Sequence, residues 1–327
     1  MHTSENRRGA VRWGRYLVYP VAATAIYLLL HTSAVSAARD NGFNLSDTLI
    51  PSSEIHHGGP PRDGIPAIDR PQFVKAVSAD FLAEDDRILG MERNGTAKAY
   101  PIRILNYHEI VNDRFGEESV VVSFCPLCGT GMAFSSKVGG RTHSFGVSGL
   151  LYNSDVLLYD RETESLWSQI MRKAVSGKMK GADLNQLALT YTTWRDWRER
   201  HPDTLVLSTD TGFRRDYNRT PYEGYETTSR VFFPVSHVNP KYHPKELVIG
   251  LKIGNKTKVY PFAELSKGPS VVNDRFAGRT LKVEFDARNR NGRVVDQQGK
   301  EIPTTIAFWF AWVAFHPDTE VFEAAAK

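Results

Sequence analysis

The sequence predicts an α+β protein that is mostly β and is built as two duplicated lobes of hairpins with short helices. Short segments such as DVLLYD and TLVLS alternate apolar and other residues at the two-residue period of strands. Turn sequences such as ERNGT and KIGNKT separate such segments as they do in hairpins. The third observation is an internal repeat, in which the same order of predicted elements occurs twice along the chain.

The first 37 residues are predicted to be an export signal that is not part of the fold. Met1–Arg15 carries four arginines against one glutamate, and an uncharged apolar segment follows from Tyr16 to Ala38. Val35 and Ala37 occupy the small-residue positions of a cleavage site. An uncleaved membrane anchor is the alternative, because about 20 apolar residues can span a bilayer. The expected location is therefore the periplasm or the cell surface.

Composition places the rest of the chain among ordinary globular proteins. A length of 327 residues is enough for one large domain or two ordinary ones. The chain is 41% hydrophobic and 24% charged, which is typical of a globular protein with a buried core. The formal net charge of +4 derives largely from the N-terminal arginines, so no nucleic-acid partner is predicted. Membrane contact is expected only through the N-terminal segment, if that segment is retained.

Beyond the signal, the chain divides into four predicted segments. Residues 38–80 form an arm, and its Gly- and Pro-rich stretch HHGGPPRDGIP disfavours regular structure. Residues 81–208 and 241–327 are the two lobes, and residues 209–240 are a Tyr-rich linker between them. We expect the linker tyrosines to pack on the body of the protein in preference to lining a cleft, since aromatic side chains usually pack.

The repeat pairs a segment that begins at Ile88 with a segment that begins at Val248. Both copies contain the motifs YP, VNDRF and, further on, HPDT. Residues present in both copies are best explained by shared folding needs. We therefore predict a turn with an anchoring Phe at VNDRF, and a structural role for the histidine of HPDT. Residues found in one copy only are better candidates for chemistry.

Copy one alone contains the two cysteines of the chain, Cys125 and Cys128, in the segment SFCPLCGTGMAF. Cys125 aligns with Asp286, and His108 has no histidine counterpart in copy two. A two-residue spacer lets the sulfurs close a small ring, and an exported protein meets oxidising conditions. The leading interpretation is therefore a dithiol that exchanges with a thiol or disulfide partner, either a protein or a small molecule. In this interpretation Cys125 attacks, Cys128 resolves, and His108 acts as the base or orients the thiolate, with no cofactor required.

Two other interpretations of the cysteines stay open. CPLCG is also the sequence of a metal knuckle, in which the turn aims both sulfurs at one point and the glycine permits the bend. Zinc or copper would then require further ligands, with His108 and His143 foremost, and His56, His57 and Met132 as others. An inert structural disulfide is the third interpretation, although so short a loop contributes little stability.

An insert in copy one, from about Gly139 to Lys180, is predicted to form a cleft beside the dithiol. Its segment LYNSDVLLYDRETESLWSQ is rich in polar side chains, namely Asn153, Asp155, Asp160, Arg161 and Glu164. The first four of these residues are predicted to hold a substrate. A hairpin with a salt-bridged turn is the competing explanation.

Several blocks of the sequence together resemble one known family. The blocks are GGPPRDGIPAIDRP, YPIRILNYHEIVND, VVVSFCPLCGTGMAF and LYNSDVLLYDRETESLWSQ. They resemble domain-of-unknown-function family 3179, a family of exported bacterial and archaeal proteins, from about Ile55 to the C-terminal strand. The family has no established activity, but some members look like selenoproteins with selenocysteine in the motif that contains Cys125 and Cys128 here. The resemblance therefore implies redox chemistry at this motif.

Overall fold

The computed structural model describes residues 40–325 of the chain. The predicted export signal lies outside the described residues. Strands dominate the described part and the helices in it are short, which confirms the predicted α+β, mostly β class. Within this part, no helix has the length and apolar character needed to span a membrane.

The strands and helices follow the chain in two series. The strands of the arm and copy one are β1 (Ile55–His57), β2 (Phe73–Lys75), β3 (Arg87–Arg93), β4 (Thr96–Pro101), β5 (Ile110–Phe115), β6 (Glu118–Cys125), β7 (Thr130–Ser135), β8 (Lys137–Val138), β9 (Arg141–Thr142), β10 (Phe145–Tyr152), β11 (Asp155–Asp160), β12 (Leu166–Ser168), β13 (Lys173–Ala174), β14 (Gln186–Leu187), β15 (Thr190–Thr193) and β16 (Leu205–Leu207). The strands of copy two are β17 (Leu247–Ile253), β18 (Lys256–Pro261), β19 (Val271–Phe276), β20 (Arg279–Asp286), β21 (Asn291–Asp296), β22 (Glu301–Ile302), β23 (Thr305–Phe308) and β24 (Glu320–Val321). The α-helices are α1 (Ile102–Leu105), α2 (Trp194–Arg200), α3 (Phe262–Leu265) and α4 (Trp309–Phe315), and short 3₁₀ turns lie at Ser52–Glu54, Ala76–Ser78 and Tyr225–Thr227.

The two copies repeat one strand order. In copy one the order β15-β3-β4-β16 is extended by β2 of the arm, and copy two has the corresponding order β23-β17-β18-β24. The last pair is parallel in both copies. An antiparallel meander completes each copy, β5-β6-β7 in the first and β19-β20-β21 in the second. The predicted duplication is therefore visible in the strand order.

The two copies also share one sheet. Its order is β24-β18-β17-β23-β7-β6-β5, and β7 of copy one pairs with β23 of copy two at Gly131 and Ile306. The backbone N–H of Phe308 donates a hydrogen bond of 2.8 Å to the Cys128 carbonyl. One large apolar cluster takes residues from both copies and includes both cysteines. Copy two therefore supports the hairpin that carries Cys125 and Cys128.

The shared motif VNDRF forms a strand in each copy, so the predicted turn is wrong. Its aspartate is drawn into the sheet by long-range partners. Asp113 accepts hydrogen bonds from Lys98 Nζ at 2.8 Å and from Tyr100 Oη at 2.6 Å. In copy two, Asp274 makes the corresponding contacts with Lys258 Nζ at 2.8 Å and with Tyr260 Oη at 2.7 Å. Pairing removes the cost of burying these polar groups, so tertiary contacts override the turn preference of Asn and Asp.

The shared motif HPDT closes the helix that precedes it. In copy one the His201 ring lies 4.1 Å from the Trp197 ring, and the Trp197 indole donates to Thr204 Oγ1 at 2.9 Å. The matching distances in copy two are 4.3 and 3.0 Å, for the residues His316, Trp312 and Thr319. These contacts give both histidines the structural role that the repeat predicts.

Candidate functional site

Both cysteines lie at the hairpin loop between β6 and β7. Cys125 ends β6 and pairs with Thr130, which leaves residues 126–129 as the loop. The Cys128 N–H donates to the Cys125 carbonyl at 3.2 Å, and Gly129 has a φ of 57°. A side chain at Gly129 would be strained at that φ, and its Cβ would lie 2.8 Å from Phe308. The loop therefore requires glycine after the second cysteine.

The corresponding loop of copy two has the same form without sulfur. Asp286 pairs with Asn291 around four loop residues, and Arg290 has a φ of 47° where Gly129 has 57°. The Asp286 carboxylate accepts hydrogen bonds from the backbone N–H groups of Arg288 and Asn289, at 2.9 and 3.1 Å. The loop geometry thus belongs to the repeat, whereas the sulfurs are specific to copy one.

The β10–β11 hairpin brings a carbonyl and a carboxylate to the sulfurs. Tyr152 pairs with Asp155, so Asn153 and Ser154 form a two-residue turn with φ values of 51° and 64°. Positive φ at both positions is the pattern of a type I′ turn. The Ser154 carbonyl oxygen lies 3.3 Å from Cys128 Sγ and 3.9 Å from Cys125 Sγ. A carboxylate oxygen of Asp155 and the two Sγ atoms all lie within 4.8 Å of one another.

Asp155 is fully buried, and half of its carboxylate lacks a partner. Its Oδ2 accepts a hydrogen bond of 3.1 Å from the Ile170 N–H, whereas its Oδ1 has no hydrogen-bond partner among residues 40–325. Burial raises the pKa of Asp155 to about 7, and contacts with backbone N–H groups and the two thiols offset that effect only in part. A buried carboxylate in this situation favours an added proton or a bound cation.

The two thiols are buried, with 1% of Cys125 and 0% of Cys128 exposed. Burial raises the pKa of Cys125, and the negative charges of Asp155 and Glu109 raise it further. The pKa of Cys128 is raised well above its ordinary value, first by burial and then by Cys125 and Asp155. Neither sulfur is therefore an activated thiolate in the metal-free protein.

Glu109 is a second buried carboxyl near the sulfurs. Its backbone carbonyl accepts a hydrogen bond of 2.7 Å from Phe124, the residue before Cys125. Burial raises the pKa of Glu109 to about 8, and the charge of Asp155 contributes to the increase. Glu109 is not among the site residues predicted from the sequence. The repeat contains the signal that finds it, because its counterpart in copy two is Ser270.

The linker packs on the body of the protein, as expected, and it also forms cavity walls. Tyr225 is buried, and Lys245 Nζ lies 4.0 Å from its ring centre and 2.8 Å from the Arg230 carbonyl. Burial lowers the pKa of Lys245 to about 8. Tyr222 lines two cavities beside the cysteine loop, of about 280 and 260 Å³. The linker therefore combines the two roles that the sequence presented as alternatives.

His108 is engaged away from the sulfurs. Its Nδ1 lies 2.7 Å from the Pro66 carbonyl oxygen, and its Nε2 lies 2.6 Å from Tyr217 Oη. The arm and the linker thus occupy both ring nitrogens, and burial lowers the pKa of the imidazole. The ionisable side chain grouped with the two sulfurs is Asp155. This geometry does not support His108 as the base for the dithiol.

His143 belongs to a different cluster. Its Nδ1 lies 3.2 Å from Asp160 Oδ1 and 3.7 Å from Glu162 Oε2. Among the described residues, neither His143 nor His108 belongs to the set of ligand atoms that lie within 4.8 Å of one another around the two sulfurs. His56 and His57 lie in β1. The predicted set of Cys125, Cys128, His108 and His143 is therefore not assembled, because the fold directs both imidazoles to other partners.

Of the four predicted substrate-binding residues, the structure groups only Asp155 with the sulfurs. Asn153 accepts a hydrogen bond of 2.7 Å from the Ser236 N–H and so connects the turn to the linker. Asp160 accepts hydrogen bonds from Trp167 Nε1 and from the Thr163 N–H, at 2.8 and 2.7 Å. Arg161 forms an ion pair of 2.8 Å with Asp69 of the arm. These three side chains make structural contacts, and the Arg161 ion pair joins the hairpin to the arm and does not lie within the hairpin turn.

Comparison with known proteins identifies the family. A family model described as "Protein of unknown function (DUF3179)" matches residues 62–319. The chain belongs to this family. The match confirms the resemblance seen in the sequence and includes both cysteines, Glu109 and Asp155. No curated protein and no solved structure matches the chain.

The raised pKa values of Asp155 and Glu109 predict how stability depends on pH. Their pKa values rise from the ordinary 3.8 and 4.5 to about 7 and about 8 in the folded protein. The unfolded chain therefore loses these protons first, and their contribution to stability is lost as the pH rises from about 4 to about 8. We expect the melting temperature of the metal-free protein to fall between pH 5 and pH 8, and Asp155→Asn to reduce that fall. An unchanged pH profile in Asp155→Asn would contradict this account.

Proposed function

We propose that this protein binds a thiophilic metal ion, with Zn²⁺ as the first candidate, through Cys125, Cys128 and Asp155. The observation that carries the proposal is the convergence of two buried sulfurs and a buried carboxylate oxygen within 4.8 Å of one another. Zn²⁺ binds thiolate sulfur at about 2.3 Å and carboxylate oxygen at about 2.0–2.2 Å. Donors spaced as these are can surround one such ion after small adjustments of their side chains.

The charges of the cluster support a bound cation. Deprotonated, the three side chains carry three negative charges. Among the described residues no Lys or Arg forms a salt bridge with Asp155, and Lys245, whose charge interacts with Cys128, would balance only one of the three. Burial raises the pKa of all three groups, so each resists ionisation without a partner. Buried charges in proteins are normally paired or bound to metals. A divalent ion would balance two of the three charges at once.

The Ser154 carbonyl provides a further oxygen beside the cluster. It contacts both sulfurs, at 3.3 and 3.9 Å. Zinc sites normally have four ligands, and two thiolates with two oxygens complete that number. The type I′ turn at Asn153 and Ser154 fixes the direction of this carbonyl, so the hairpin would supply two of the four ligands.

Thiol/disulfide exchange is the second candidate function. It is favoured by two free cysteines in a CxxC loop beside a carboxyl whose pKa of about 7 suits proton transfer near neutral pH. Formation of the Cys125–Cys128 bond would release two protons and two electrons, which would reduce a partner disulfide to two thiols. Burial of both sulfurs favours a small-molecule disulfide over a protein as that partner. Under either proposed function, the protein would act in the periplasm or at the cell surface, where the predicted export signal would direct it.

We expect the reduced protein to bind one equivalent of Zn²⁺ and to release protons as it does so. At pH 7 both thiols are protonated and Asp155 is about half protonated, so about two to three protons leave. The logarithm of the binding constant should rise with pH by a slope of about two to three, and the slope should approach two above pH 8. Calorimetric titrations in buffers of different ionisation enthalpy count the released protons.

The cluster of His143, Asp160 and Glu162 provides a matched control. Glu162→Gln changes this cluster and should leave the Zn²⁺ stoichiometry and the number of released protons unchanged. A reduced protein that takes up no Zn²⁺ would sink the metal proposal. If that protein instead forms a Cys125–Cys128 disulfide that small-molecule dithiols reverse readily, the second candidate replaces the first.

A further inference from the structure

An apolar cavity of about 260 Å³ lies beside the cysteine loop. The arm, the loop, the β10–β11 hairpin and the linker each contribute to its wall, with Ile65, Leu127, Val147, Val156, Tyr222 and Phe233 among the lining residues. Glu109 lines it as well, and among the described residues no Lys, Arg or His does. The cavity is therefore an apolar space with one acidic group.

The carboxyl of Glu109 has no partner within the described part of the chain. The residue is 7% exposed, and its side chain forms no hydrogen bond or ion pair there. Burying a carboxyl without a partner is unfavourable, because the hydration that it loses is not replaced. A ligand that donates hydrogen bonds to Glu109 would remove this cost.

The surroundings of Glu109 favour a positively charged ligand. Asp155 and Cys125 are close enough for their charges to interact with Glu109, and both carry negative charge when ionised. Zn²⁺ on two thiolates and Asp155 would still leave that cluster with a net charge of −1. Three aromatic residues of the linker, Tyr222, Phe232 and Phe233, form one side of the cavity, and aromatic faces attract cations.

We propose that this cavity binds a small primary ammonium ion with an apolar body. The ammonium group donates hydrogen bonds to the Glu109 carboxylate, and the apolar body lies among the aliphatic and aromatic walls. A quaternary ammonium ion cannot donate such hydrogen bonds, and a neutral molecule does not balance the charge. The volume is below the range of about 300–1,000 Å³ that is typical of drug-sized ligands, so the body is of the size of one aromatic ring with a short chain. Because Glu109 is outside the proposed ligand set, this inference stands independently of the metal.

The test compares two ligands of the same shape and different charge. We expect 2-phenylethylamine to bind the full-length protein at least tenfold more tightly than 2-phenylethanol, as measured by calorimetry at pH 8.5, where most of Glu109 is ionised because its pKa is about 8. Glu109→Gln keeps the shape of the side chain and removes its charge, so it should weaken amine binding at least tenfold and leave alcohol binding within twofold. Glu223→Gln is the matched control, because Glu223 is exposed and lines the neighbouring cavity. It should bind both ligands like the wild type.

A second variant guards against a folding defect in Glu109→Gln. Phe232 is 48% exposed and lines the cavity, so Phe232→Ala should fold and should weaken both ligands by a similar factor. Equal affinity for amine and alcohol in the wild type would overturn the proposal. So would amine binding that survives Glu109→Gln, or the absence of binding by either probe. Zn²⁺ titration of the same samples reports separately on the cysteine cluster.

Discussion

Asp155→Asn should weaken Zn²⁺ binding by about 100-fold or more, and Cys128→Ser should eliminate stoichiometric binding at micromolar protein concentration. The Asn side chain keeps the shape of Asp155 but removes its charge. A loss of about 3 kcal/mol from a buried charge interaction corresponds to that factor. Cys128→Ser replaces a thiolate with a hydroxyl that stays protonated at neutral pH. Competition with a chromophoric zinc chelator measures both variants.

Copy two provides the control for this experiment. Asp286 occupies the position of Cys125 in the equivalent loop, where it accepts backbone hydrogen bonds. Asp286→Asn should therefore leave zinc affinity within twofold of the wild type. If Asp155→Asn binds zinc as tightly as Asp286→Asn does, then the carboxylate is not a ligand.

Gly250→Ala should destabilise the protein by about 3 kcal/mol, the upper end of the usual cost of overpacking. A Cβ at Gly250 would lie 2.2 Å from the Trp312 ring, which packs against this part of β17. The Trp312 ring is held in turn by its hydrogen bond to Thr319 and its contact with His316, so it cannot move aside freely. Urea denaturation followed by tryptophan fluorescence measures the change in the free energy of unfolding.

The expected cost depends on that contact and not on glycine in general. Gly268→Ala is the matched control, since the nearest atom to a Cβ there is 3.9 Å away and its φ is not in the left-handed region. We expect this variant to lie within about 0.5 kcal/mol of the wild type. Gly90→Ala in copy one should resemble Gly250→Ala, because its Cβ would lie 2.4 Å from Trp197. Equal stability of the Gly250→Ala and Gly268→Ala variants would contradict the proposed cost of the contact between Gly250 and Trp312.

Two expectations from the sequence differ from the structure for a common physical reason. VNDRF contains good turn formers, but in both copies its aspartate is paired with a lysine and a tyrosine of the neighbouring hairpin. His108 directly precedes Glu109, whose charge acts on Cys125. The His108 ring itself is held by Pro66 and Tyr217. Both predictions used residue type and nearness in sequence. Both were decided by partners outside the local segment, which lie 13 and 15 residues away for Asp113 and 42 and 109 residues away for His108.

The sequence by itself determined the repeat, the mostly β class and the loop that holds the two cysteines, because alternation, turn residues and a CxxC spacing are local properties of a chain. It also marked Asp155 as a member of a polar segment, without indicating which member would reach the sulfurs. Only the tertiary structure decided that Asp155 joins Cys125 and Cys128 while His108 and His143 do not. The packing of the β10–β11 hairpin against the cysteine loop also removes water from these groups. That burial raises their pKa values, and it depends on the complete fold.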